Sequence, residues 1–141
     1  MKWLYLVLLL AACGPPPDYV SNRGISYYWQ GASWDTNLIE EQEDWLFTRL
    51  PPDLADKPVE SELGHVRVLV YPDMLRCSSG DCWGRQDYSV LHVTARDCPF
   101  NSALSHEIGH WMQFFFLKKT EYLHESTNYW YIVDSSPREC P

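Results

Sequence analysis

The chain has 141 residues, and 45 % of them are apolar, so it suits one globular domain with a real core. Its formal charge of -8 and its lack of any basic run exclude nucleic-acid binding through phosphate contacts, which need clustered Lys and Arg. The acidity implies solubility rather than a particular partner.

In chain order, Met1-Lys2 is followed by an apolar run, 3–12, too short to stay in a membrane as a spanning helix. The run ends in Leu10-Ala11-Ala12-Cys13, which resembles the signal sequence and lipobox of bacterial lipoproteins. The resemblance implies a signal peptide at 1–12, cleavage before Cys13, a diacylglycerol on the Cys13 sulfur and acylation of the new amino terminus. Several acyl chains make a stable membrane anchor, because each buried CH2 adds about 0.8 kcal/mol. The protein is then expected in the bacterial cell envelope, lipid-anchored on the periplasmic or outer face. Residues 13–23, with Gly14-Pro15-Pro16-Pro17, read as anchor and stiff polar tether, and 24–141 as the folded domain.

Residues 24–30 are aromatic and β-branched and predict a first strand. Asp35 is a good N-cap for a helix that carries Leu38, Gln42, Trp45 and Arg49 along one line, with Ile39, Leu46 and Leu50 beside it. Pro51-Pro52 stops that helix, and 53–64 reads as a loop. The valine-dense segments 65–71 and 88–95 predict strands, separated by a turn-rich loop over 76–87. Asn101 can cap a long apolar helix that ends at Lys118-Lys119, where positive charge suits the helix carboxyl end. Residues 125–133 predict a short helix or irregular segment. The order strand, helix, strand, strand, helix predicts a small α+β domain with a sheet of three or four strands.

Four cysteines remain after the lipobox. An even count in an exported chain predicts two disulfides, with three connectivities open. Cys77 and Cys82 bracket Ser78-Ser79-Gly80-Asp81 and are paired here, which leaves Cys98 with Cys140.

The residues that point to chemistry are His106-Glu107-Ile108-Gly109-His110. Residues i and i+4 lie on one face of a helix, so His106 and His110 can present two imidazoles to one metal ion. Glu107 sits about 100° round the helix, where it can reach a water on that metal instead. Leu104, Ile108, Trp111 and Phe115 give the helix a separate buried face. Gly109 inside a helix costs about 1 kcal/mol against alanine, which suggests close approach of another backbone. Surface histidines on an ordinary helix are the plain alternative.

The pattern and its strand-then-helix setting over 64–125 resemble the zincin clan of metallopeptidases. The resemblance implies a zincin-like domain in which an N-terminal helix packs across the sheet and the HExxH helix carries the active site. It implies Zn2+ held by His106 and His110, a peptide or protein substrate, and Glu107 as catalytic general base. Zinc lowers the pKa of its water to about 7, and the glutamate takes the proton and passes it to the leaving amine. By analogy with the clan, 88–95 would be the edge strand along the cleft, with 65–71 inside it.

The third ligand departs from known patterns. Gln113 and Phe116 exclude the metzincin continuation, and Trp130 stands where thermolysin-like enzymes carry a glutamate. Glu121, His124, Glu125 and Asp134 are the candidates. A helix running to Lys118 carries the chain about 12 Å past His110, a return that strains Glu121 but that His124 and Glu125 can span. His124 is preferred, because imidazole is the commonest ligand, with Glu125 as the alternative. Tyr122, Tyr129 and Tyr131 are candidate oxyanion donors, with aromatic packing the plainer role for each. His65 and His92 read as structural. Two further functions stay open: a non-catalytic zincin-like binding or structural lipoprotein, and a lipoprotein that stores or transfers zinc.

Overall fold

The computed structural model describes residues 14–96 and 103–118. Among the described residues seven strands form: β1 (Tyr19–Val20), β2 (Ser26–Trp29), β3 (Arg67–Tyr71), β4 (Leu75–Cys77), β5 (Gly80–Cys82), β6 (Gly84–Asp87) and β7 (Val90–Thr94). The helices are α1 (Thr36–Phe47), α2 (Val59–Glu62), which continues into a 3-10 turn at Leu63–His65, and α3 (Ala103–Leu117). The fold is α+β, with a mixed five-stranded sheet in the order β1-β2-β3-β7-β6 and a separate β4-β5 hairpin. β2, β3 and β7 run parallel, while β1 and β6 are antiparallel to their neighbours. No helix among the described residues is long and apolar enough to cross a membrane.

Register explains where the core lies. Residues directly opposite in a ladder share a face. One row is therefore Tyr27, Val68, Leu91 and Gln86, and the next is Trp29, Val70, Val93 and Gly84. Tyr27, Val68, Val70, Leu91 and Val93 are fully buried on this face. α1 and α3 cover it with Ile39 and Leu46 from α1 and Leu104, Ile108, Trp111 and Met112 from α3. Each such buried side chain stabilises the fold by about 1.5–3 kcal/mol. The stripe on α3 is the one its helical period predicts.

α1 starts where the sequence places it: Asp35 accepts from the Asn37 N–H at 2.8 Å. It ends at Phe47, short of Pro51, and turns Ile39, Gln42, Glu43, Leu46 and Phe47 inward. The buried line thus lies beside the predicted one, because Tyr27 draws Glu43 into the interior with a 2.5 Å hydrogen bond.

Five expectations need correction. Among the described residues the sheet already has five strands, not three or four. The loop expected at 76–87 holds β4, β5 and β6. The strand expected at 88–95 begins later, since Tyr88-Ser89 is the turn of the β6-β7 hairpin and Tyr88 adopts φ 56°. Part of the segment read as tether, Tyr19–Val20, pairs with β2, and the Asp18 carboxylate accepts from the Trp29 N–H at 2.7 Å. Residues 59–64, expected within a loop, form α2 and most of its 3-10 turn because Leu54, Val59 and Leu63 are buried, and that turn takes in His65, so the strand expected at 65–71 starts at Arg67.

Candidate metal centre and cleft

His106, Glu107 and His110 lie near the start of α3, which packs on β6 and β7. One helical turn brings the two imidazoles together: their Nε2 atoms are 3.1 Å apart and the rings stand at 83°. Two Zn–N bonds of about 2.05 Å meeting at a tetrahedral angle place their nitrogens about 3.3 Å apart, so the pair fits such an ion with little adjustment. Imidazole nitrogens are ordinary zinc donors, and a catalytic zinc takes a third protein ligand beside such a pair.

Among the described residues, no group of three or more His, Cys, Asp or Glu forms a metal cluster. The preferred third ligand His124 and its alternative Glu125 lie outside the described residues, as do Glu121, Asp134, Tyr122, Tyr129 and Tyr131. The same is true of Cys13, Cys98 and Cys140.

Glu107 is only 4 % exposed. Burial, followed by the nearby Asp87 carboxylate, pushes its pKa up to about 8. A cation beside it would act against both causes and favour the ionised form that can accept a proton. The side chain crosses the start of β6, with no side chain between it and the Gly84 backbone.

These residues open onto a cleft of about 340 Å3. α3 supplies one wall with His106, Glu107 and His110; β6 supplies the floor; the tip of the β4-β5 hairpin, Ser78-Ser79, supplies the rim. The Cys77–Cys82 disulfide closes that hairpin across a Cα–Cα distance of 6.0 Å, the pairing expected from the sequence.

The strand along the cleft is therefore β6, and β7 is internal, between β3 and β6. This corrects the expectation that 88–95 would be the edge. The β6 ladder also shows which backbone groups face outward. Thr94 N donates to Trp83 O at 3.0 Å, and bonded pairs alternate along an antiparallel ladder. Residues 85 and 87 thus bond toward β7, while the amides of Gly84 and Gln86 turn away from it. The Gly84 carbonyl faces the hairpin, 3.8 Å from Cys77 Sγ.

The remaining described histidines do not join the pair. His65 is exposed, 4.0 Å from the Glu62 carboxylate. His92 lies on the opposite sheet face, with Nδ1 3.0 Å from the Tyr71 hydroxyl and Nε2 3.2 Å from Asp87. Burial, then Arg85, holds its pKa below the ordinary value, so it is neutral at pH 7.

Sequence reasoning missed Gly84 and Asp87. A glycine inside a strand signals a bulge or a close approach, but Trp83-Gly84-Arg85 does not read as a strand at all. Comparison with family models, curated proteins and solved structures found no match, so the site is read from its own geometry.

Proposed function

We propose that this protein is a zinc-dependent peptidase held at the bacterial envelope through lipidated Cys13. The observation that carries the reading is the convergence of the His106 and His110 Nε2 atoms, 3.1 Å apart, beside a buried carboxylate in one cleft. His106 and His110 would hold the ion, with His124, or else Glu125, as third ligand. Bound there, zinc would supply Lewis-acid activation of water.

The chain's own groups do the rest. Glu107 is the general base: it takes the proton released by the attacking water and returns it to the leaving amine. A buried, water-poor wall strengthens each of these electrostatic interactions. β6, the edge strand beside this wall, offers an extended peptide a strand to pair with, which fixes the scissile bond along the wall that carries Glu107. Trp83 and Tyr88, two of the exposed large apolar side chains, flank that strand and provide apolar contact at its two ends.

The test is hydrolysis of a fluorogenic peptide library by the purified protein. Activity that is lost on chelation, restored by zinc, and abolished in Glu107→Ala while zinc stays bound supports the reading. One zinc per chain with no cleavage of any peptide favours the non-catalytic binding lipoprotein instead.

A further inference from the structure

The backbone of Gly84 lies directly against the side chain of Glu107. A Cβ placed on it would lie 2.6 Å from Cγ and 2.8 Å from Cδ of Glu107, and closer still to Oε1. Real Cβ contacts do not fall below 3.0 Å, and ordinary contact begins at 3.4 Å. Two of the clashing atoms are not the free tip of the side chain but its stem and carboxyl carbon. Glu107 is itself 4 % exposed, so its side chain has little room to retreat. Gly84 shows no positive φ that would call for glycine, so the backbone alone does not explain the residue.

We infer that Gly84 is a positioning residue for Glu107: its bare backbone is the seat that sets where the carboxylate lies. This rests on the peptidase reading for its functional consequence, although the seat itself exists with or without metal. With a methyl group at 84 the Glu107 stem must move by about 1 Å to regain ordinary carbon–carbon contact. A displacement of that size is worth about 100-fold in rate when the group must meet a proton in flight.

Two measurements on the full mature chain test it. The first is steady-state kinetics of Gly84→Ala on a peptide the wild type cleaves, with zinc content measured on the same sample. The expected result is zinc held as in wild type, KM little changed, and kcat lower by about 100-fold. A purely structural glycine would not split kcat from KM in this way.

The second is a thermal-unfolding cycle of the metal-free protein: wild type, Gly84→Ala, Glu107→Ala and the double variant. Gly84→Ala should lower the midpoint, or prevent folding, only while Glu107 is present, and the double variant should recover. An unchanged kcat in Gly84→Ala, or the same loss of midpoint in both backgrounds, overturns the inference. If the wild type neither binds zinc nor cleaves peptides, the functional reading fails, and the metal-free cycle still decides the seat.

Discussion

Replacing Glu43 with Gln should remove a pH dependence from the stability of the fold. Glu43 is fully buried under α1 against β2. The Tyr27 hydroxyl donates to its Oε1 at 2.5 Å, while Oε2 has no hydrogen-bond partner. Burial outweighs the lowering effects of the Tyr27 hydrogen bond and the nearby Ser21 hydroxyl and pushes its pKa from 4.5 up to about 7. Glu40 adds to that rise and Arg23 opposes it.

A folded-state pKa raised above the unfolded value means that the folded protein holds the proton more tightly. The carboxyl is therefore neutral and costs least below pH 4.5. Stability is lost as pH rises from 4.5 to about 7, and the full cost, about 3 kcal/mol, applies above that. Gln keeps the acceptor for Tyr27 and cannot ionise, although its amide leaves buried donors without partners and so offsets part of the gain.

Urea unfolding of wild type and Glu43→Gln at a series of pH values between 4 and 8 measures the difference. Other carboxylates titrate in both proteins and cancel. The gap between the two curves should open in favour of Glu43→Gln by about 3 kcal/mol between the two ends of the series. Parallel curves over that range would refute the reasoning, because they would mean that Glu43 ionises in the folded state as easily as in the unfolded one.

Two further outcomes concern the scaffold of the site. Breaking the Cys77–Cys82 bridge by serine substitution at both positions frees a loop of sequence separation 5, and should cost about 2 kcal/mol in chemical unfolding. Because that hairpin rims the cleft, KM for a cleaved peptide should rise more than kcat falls. Asp35→Ala removes the acceptor for the Asn37 N–H and should cost about 1 kcal/mol, measured the same way, with no effect on metal content.

The parts of the fold that were legible in the sequence are those fixed by local signals. The Asp35 cap, the valine run of β3 and the apolar stripe of α3 each declare themselves within a dozen residues, and so does the turn between Cys77 and Cys82. The parts that were hidden depend on pairing. Gly84-Arg85-Gln86-Asp87 has poor strand propensity on any scale, yet it is a strand because β7 offers it a partner ladder. Tyr88 looks like the start of a strand and is a turn, because the hairpin demands left-handed backbone there. Glu43 lies off the apolar lines named for its helix and is buried, because Tyr27 stands opposite it.

The same division runs through the site. Spacing alone puts His106 and His110 on one face of a helix, and their 3.1 Å approach agrees with it. The seat at Gly84 and the charge at Asp87 come from a strand that packs beside that helix, so no local pattern announces them. The edge of the sheet follows the same rule: the valine-rich segment is the interior strand, as double-sided burial favours, and the polar segment takes the rim.

The central claim is that His106 and His110 grip one ion. It is tested most directly by the metal content of the purified mature protein, measured by mass spectrometry on wild type, His106→Ala and His110→Ala. The account predicts one zinc per chain in wild type and loss of stoichiometric metal in both variants. Wild-type protein without stoichiometric divalent metal, or variants that retain it in full, would contradict the account.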